Sequence, residues 1–155
     1  MLRKQSKLPV NDLKKLKTKA LKAYEAAVER ANPFTAVQLC IKKNGIPKPK
    51  KGGKTLIMGI GKAAPAMING LRPSINGPTN CICITHKENQ EDVDDCEMFK
   101  AGHPIPDDTG ALASNRVISA LLEAGEDDQV LFLISGGGSA LLPAPVDGVN
   151  LEAVS

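Results

Sequence analysis

The hydrophobic and polar positions divide the chain into a leading helical part and a later part in which strands alternate with helices. In the leading part, apolar residues recur at steps of three and four: Leu13, Leu16, Ala20, Ala23, Ala27 and Val28. This spacing predicts a helix that is capped by Asn11 or Asp12 and ends at Asn32, before Pro33. A second helix is predicted over residues 35–42, stopped by Asn44 and Gly45, and residues 46–53 form a loop.

In the later part, short apolar runs predict strands over residues 55–60, 79–85, 98–101 and 130–134. Helices are predicted over residues 62–71, from Asp107 or Asp108 to about Glu123, briefly after the fourth strand, and again from residue 150 after a loop over 143–149. The continuous apolar run 130–134 is typical of a strand buried on both faces. Alternating strands and helices predict an α/β fold: a Rossmann-like parallel sheet flanked by helices.

Composition and charge narrow the class of protein. The 155 residues are 42% hydrophobic and 24% charged, which is typical of one soluble globular domain. The sequence has no apolar run long enough to span a bilayer and only four cysteines, so a reducing, cytoplasmic location is expected, with a mitochondrial one left open.

The charge is unevenly distributed. Residues 1–54 hold 15 Lys and Arg against 3 acidic residues, whereas residues 55–155 hold 5 against 14. A basic segment of this kind can bind nucleic acid or an anionic membrane. Its only aromatic residues are Tyr24 and Phe34, so a solvated helix face is the favoured interpretation, with neither nucleic acid nor membrane as partner.

Two glycine-rich loops follow predicted strands, at the sheet edge where ligands bind in open parallel sheets. In the first, Gly59 and Gly61 precede Lys62, an ammonium expected at a helix start. The second consists of Ser135, Gly136, Gly137, Gly138 and Ser139. Consecutive glycine N–H groups and two hydroxyls favour the binding of phosphate or carboxylate.

The residue spacing around the first loop excludes a Walker A nucleotide site and leaves a dinucleotide site open. Leu56 and Ala63 stand where a Walker A loop needs glycine and a hydroxyl. Gly59, Gly61 and Ala64 fit a permissive dinucleotide fingerprint, although no acid closes the second strand. Cys81 and Cys83 are interpreted as small apolar strand residues, and no metal site is predicted.

A third polar cluster, AGHPIPDDTG, covers residues 101–110 between the predicted third strand and the following helix. His103 supplies a candidate general base, and Asp107 or Asp108 a helix cap.

Together, IMGIGKAAPAM (57–67), AGHPIPDDTG and DQVLFLISGGGSALLPAP (128–145) resemble the N-terminal domain of the MOFRL-associated glycerate kinases, also labelled hydroxypyruvate reductase-like. The resemblance covers the chain from about Ala26 to Ser155. It implies ATP-dependent phosphorylation of D-glycerate, generally to 2-phosphoglycerate, with Mg²⁺ as metal. It further implies that Lys62 is the active-site lysine and that the loop from Ser135 to Ser139 belongs to the phosphate or substrate pocket.

The resemblance also sets the expected domain organisation. Residues 1–53 are basic helices and a linker that pack on the domain, residues 54–155 are the first part of the Rossmann-like domain, and the second domain of the family is absent. The leading hypothesis is therefore a glycerate kinase, or an incomplete and inactive piece of one. Two alternatives stay open: an NAD(P)-dependent hydroxypyruvate reductase, and a non-enzymatic module that binds anions or a partner. A homo-oligomer is compatible with each.

Overall fold

A computed structural model of the chain describes residues 10–146 and 148–151. Its helices are α1 (Val10–Arg30), α2 (Pro33–Asn44), α3 (Ala64–Leu71), α4 (Asp108–Leu122) and α5 (Gly138–Leu141), with a 3₁₀ turn at Arg72–Ser74. Its strands are β1 (Thr55–Ile60), β2 (Thr79–His86), β3 (Glu97–Ala101) and β4 (Gln129–Ile134). Each strand lies within one residue of its predicted bounds.

The start of α3 differs from the prediction. Gly61 has a φ of +119°, so the chain turns over residues 61–63, and the helix begins at Ala64 with Pro65 in its first turn. Lys62 therefore lies in the turn before the helix. The helix predicted from residue 150 falls mostly outside the described residues, as does Asp147 in the preceding loop.

The four strands form one parallel sheet in the order β3-β2-β1-β4, which confirms the predicted α/β class. Helices α2 and α3 cover one face, where Ile57, Ile68 and Cys83 are fully buried. Helices α4 and α5 cover the other face, over Met58 and Ile84. Hydrophobic burial on both faces holds the sheet and brings the carboxyl ends of all four strands to one edge.

The predicted burial of the fourth strand on both faces is wrong. Among the described strands β4 lies at the edge of the sheet, paired only with β1. Phe132 and Ile134 point to the same side and are 46% and 65% exposed. A run of apolar residues does not encode how many elements cover it, so sequence pattern alone could not distinguish an edge strand from a central one.

The N-terminal helices differ in how they contact the sheet. Helix α2 packs on α3, where Val37 is buried and a Cβ on Gly70 would come within 2.6 Å of Phe34 O. After α2, the Lys50 N–H donates to Asp127 O. Helix α1 is exposed from Asn11 to Arg30. The N-terminal segment is thus attached through α2 and the loop, and the domain boundary at residue 53 stays a prediction.

Candidate anion-binding site at the strand ends

The two glycine-rich loops lie side by side at the carboxyl edge of the sheet. Strands β1 and β4 are direct neighbours, with Ile60 paired to Ile134. Just beyond this pair, the Ser135 N–H donates to Ile60 O at 2.8 Å and the Lys62 N–H donates to Gly136 O at 2.9 Å. The juxtaposition expected from the sequence is therefore confirmed.

The side chain of Ser135 connects the loops further. Its Oγ accepts a hydrogen bond from the Ala63 N–H at 3.0 Å. Gly61 lies directly against it: a Cβ at Gly61 would stand 2.3 Å from Ser135 Oγ and 2.6 Å from Ser135 O. Only glycine permits this approach together with a φ of +119°.

Gly59 also has a packing role. It is buried within β1, and a Cβ there would meet Ile68 Cδ1 at 2.5 Å. Packing thus explains glycine at both 59 and 61, and the expectation that these residues bind a cofactor stays a prediction.

The backbone of Lys62 is fixed on both sides, whereas its side chain is exposed. Its N–H bonds Gly136, and its carbonyl accepts from Asn89 Nδ2 at 2.9 Å and from Thr85 Oγ1 at 3.5 Å. Its ammonium forms no ion pair within the part of the chain that the structure describes. A fixed backbone with an uncompensated charge suits a group that receives an anionic ligand.

The second loop contributes unpaired backbone donors. The N–H groups of Gly136, Gly137, Gly138 and Ser139 bond no acceptor among residues 10–146 and 148–151. Gly137 has φ +96° and ψ −1°, a left-handed conformation that directs successive N–H groups into one concavity. Such a concavity binds an anion without a further basic side chain.

His103 lies against this second loop. A Cβ at Gly137 would stand 3.0 Å from His103 Cδ2 and 3.2 Å from its Nε2, so the edge of the imidazole borders the glycines. His103 is half-buried. The third polar cluster thus joins the other two, and the catalytic role expected for His103 stays a prediction.

Of the two residues predicted as the cap of α4, Asp107 and Asp108, Asp107 is the cap, and its carboxylate is also part of an ion pair. Its Oδ1 accepts from the Gly110 N–H at 3.0 Å, and its Oδ2 lies 2.7 Å from Lys87 Nζ. Partial burial raises the pKa of Asp107, but the hydrogen bonds from Lys87, Gly102 and Gly110 outweigh it, so its pKa is lower than usual. The carboxylate is therefore committed to holding the loop and helix together.

Sequence reasoning did not single out Asn89, Thr85 and Lys87 as part of this site. Asn89 Nδ2 also bonds Thr85 Oγ1 at 3.2 Å, so the two side chains support the Lys62 carbonyl as a unit. The sequence feature that indicates a role for them is their position at and just after the carboxyl end of β2. Beside them, a cleft of about 280 Å³ is lined by His86, Lys87, His103 and neighbouring residues.

The residues present fit an anionic phosphate group better than a metal held by protein. Four N–H groups without an acceptor among the described residues lie at the same edge of the sheet as Lys62, whose exposed ammonium has no ion pair there. Across the described ranges, no three His, Cys, Asp or Glu side chains come together as metal ligands. In the same ranges, no helix is both long and apolar enough to cross a membrane.

These features define an α/β protein with an anion-binding edge on a parallel sheet. Residues 19–155 match the family model described as a domain of unknown function, DUF4147, and the chain belongs to that family.

Relatives with assigned names confirm the resemblance noted in the three motifs. The chain is 29% identical to the D-glycerate 2-kinase of Thermotoga maritima and 31% identical to the glycerate 2-kinase of Picrophilus torridus, with 92% and 88% of this chain covered. The crystal structure of a glycerate kinase from Thermotoga maritima superposes with a TM-score of 0.79 at 30% identity, over 90% of this chain. The chain spans about a third of the length of each, as 33% of each relative is covered.

Proposed function

We propose that this chain carries the anion-binding edge of an ATP-dependent glycerate kinase that forms phosphoglycerate, with 2-phosphoglycerate as the expected product. The observation that carries the proposal is that Lys62, whose ammonium has no ion pair among the described residues, is bonded through its backbone to the loop that carries four unpaired N–H groups, from Gly136 to Ser139. The names of the relatives support the same reaction class.

Phosphoryl transfer requires positioning and positive charge more than covalent chemistry by the protein. ATP, when bound, supplies the phosphoryl group. In this proposal the second loop holds phosphate oxygens through its N–H groups, and Lys62 neutralises charge on them. His103, which borders the same loop, accepts the proton of the attacking glycerate hydroxyl.

A Mg²⁺ site is not assigned to this chain. The carboxylate of Asp107, beside the loops, is committed to Lys87 and to the cap of α4. Magnesium in phosphoryl-transfer sites is held by one or two carboxylates together with substrate phosphates.

Because the chain spans about a third of the length of these relatives, binding of ATP tests it more directly than catalysis does. We expect the full 155-residue chain to bind ATP in isothermal titration calorimetry, and Lys62→Ala to weaken that binding about tenfold, which corresponds to one charge-assisted hydrogen bond. Lys51→Ala is the matched control, since Lys51 is equally exposed and forms no ion pair within the described residues.

Glycerate-dependent formation of ADP, measured in parallel, reports catalysis. Equal affinity of wild type and Lys62→Ala for ATP would show that Lys62 does not bind ATP. Absence of ATP binding altogether would overturn the proposal for this chain.

The reductase alternative needs N–H groups in the first loop that are free to approach a pyrophosphate. There, the N–H groups of Gly61, Lys62 and Ala63 already donate to Ile84 O, Gly136 O and Ser135 Oγ. The geometry therefore favours the kinase. Fluorescence titration with NADH distinguishes the two, because binding of NADH without binding of ATP would favour the reductase. The cytoplasmic location, a homo-oligomer and a module acting without catalysis stay predictions.

A further inference from the structure

Three of the four thiols meet on the α3 face of the sheet, away from the anion-binding edge. Cys81 and Cys83 are buried in β2, and the partly buried Cys96 packs against the same core. Cys40 is exposed on α2. The buried cluster has no part in the site described above.

The strand register places Cys81 and Cys96 beside the start of the same ladder. Strands β2 and β3 are parallel and their first pair is Ile82 with Glu97, so Cys81 and Cys96 each directly precede that pair. Neighbouring strands lie about 4.8 Å apart. A disulfide spans Cα separations of roughly 4.4–6.8 Å.

The two thiols interact and differ chemically. The side-chain interaction with Cys96, together with the nearby Arg72 guanidinium, lowers the pKa of Cys81 despite its burial. The same interaction and burial raise the pKa of Cys96, whose thiol donates to Glu97 O at 3.9 Å. Cys81 is therefore the more readily ionised thiol of the pair.

Arg72 is held in place by the turn that leads to Cys96. Its guanidinium donates to the carbonyls of Asp94 and Asp95. Its Nε is buried and has no hydrogen-bond partner among the described residues. The cation beside Cys81 is thus anchored by the backbone that positions Cys96.

The third thiol of the cluster is less reactive. Burial and the neighbouring Cys81 raise the pKa of Cys83 to about 12, so it stays protonated near neutral pH. The strand register pairs Cys83 with Met98 and leaves it no thiol opposite. The arrangement therefore singles out one pair of cysteines.

We propose that Cys81 and Cys96 are a reversible redox modification site that forms a disulfide when the protein meets a peroxide. The Cys81 thiolate attacks one peroxide oxygen, which breaks the O–O bond and yields Cys81 sulfenic acid and hydroxide. Cys96 then attacks the Cys81 sulfur, forms the S–S bond and releases the sulfenic oxygen as hydroxide, and its thiol proton neutralises one of the two hydroxides. The two sulfurs together lose two electrons and the peroxide gains them. The proton that Cys81 lost on ionising neutralises the second hydroxide, so both peroxide oxygens leave as water.

The disulfide has a structural consequence near the candidate site. It closes a ring over residues 81–96, which contains Thr85 and Asn89, the two side chains that support the Lys62 carbonyl. Oxidation thus restricts the segment that positions the Lys62 loop, and reduction releases it.

The test treats the full chain with hydrogen peroxide under native conditions and then blocks remaining thiols. We expect a loss of about 2 Da in the intact mass before blocking, a proteolytic peptide pair joining Cys81 to Cys96 after it, and reversal by dithiothreitol. Cys40→Ser is the matched control and should give the same linkage.

The Cys96→Ser variant separates the role of Cys81, which attacks the peroxide, from that of Cys96, which attacks the sulfenic acid. With no second thiol to attack, Cys81 sulfenic acid should persist and be trapped by dimedone, while circular dichroism confirms that the variant is folded. The proposal is overturned if the wild type forms no Cys81–Cys96 linkage, if Cys83 or Cys40 is joined in preference, or if dimedone labels another cysteine of folded Cys96→Ser instead of Cys81.

Discussion

Replacing Gly61 with alanine tests whether the contact between the two loops is as close as the structure shows. Gly61 has a φ of +119°, and a Cβ there would stand 2.3 Å from Ser135 Oγ, 2.6 Å from Ser135 O and 2.8 Å from Ser135 C. Two of these three atoms are backbone, so the strain cannot be relieved by rotating a flexible side chain. Gly61→Ala must therefore push β4 and its loop away from the turn at Lys62.

The expected cost has two parts. A non-glycine residue at positive φ costs about 1–2 kcal/mol. Forcing a methyl group into a packed position costs about 1–3 kcal/mol more. We therefore expect Gly61→Ala to lower the free energy of unfolding by about 2–5 kcal/mol.

Gly77→Ala measures the conformational cost of alanine at positive φ by itself. Gly77 also has a positive φ, +94°, but a Cβ there would meet nothing within 4 Å. Its cost should be the conformational part alone, about 1–2 kcal/mol. Urea unfolding followed by circular dichroism gives both values, and thermal melts should separate the variants by roughly 2–4 °C for each kcal/mol.

If the separated loops no longer align Lys62 with the second loop, Gly61→Ala should bind ATP more weakly than Gly77→Ala in calorimetry at a temperature where both are folded. Equal destabilisation by the two substitutions would refute the close approach of Gly61 to Ser135.

Three further predictions follow from individual contacts. Ser135→Ala removes the acceptor of the Ala63 N–H and should lower the free energy of unfolding in urea by about 1–2 kcal/mol; no change would show that water replaces the hydroxyl. Because the pKa of Asp107 is lowered, its ion pair with Lys87 stabilises the fold above the ordinary aspartate pKa, and this stabilisation is lost as pH falls from there through the lowered pKa of the folded state. Thermal melts from pH 6 to 3 should therefore lose less stability in Asp107→Asn, which keeps a capping side chain, and equal slopes would contradict this. Ile134→Lys on the exposed face of β4 should change stability by less than about 0.5 kcal/mol while reducing self-association in sedimentation, and a large loss of stability would show that the face is covered.

Much of the local structure was predictable from sequence because its signals are local. The helix stop at Gly45, the cap at Asp107 and the strand bounds follow from turn chemistry and hydrophobic periodicity within a few residues. The glycine-rich loops were identifiable for the same reason. Their position after predicted parallel strands was enough to predict that both lie at one edge of the sheet.

The interior of the candidate site was not predictable in this way. Whether Gly59 and Gly61 face a ligand or a packed neighbour depends on Ile68 and Ser135, the latter more than 70 positions along the chain from both. Asn89 acquires its role only because β2 lies beside β1, which brings its amide to the Lys62 carbonyl.

Sequence by itself determined the elements of this protein, their α/β order and the two loops rich in backbone donors, since these depend on the conformational preferences of adjacent residues. Tertiary structure alone decided that β4 lies at the edge among the described strands and that Cys81 lies beside Cys96. It also decided that the N–H groups of the first loop are bonded, while those of the second have no acceptor among the described residues. The physical reason is that burial, hydrogen-bond satisfaction and thiol contact are properties of pairs of segments, and the strand order that sets those pairs is settled by packing the whole sheet.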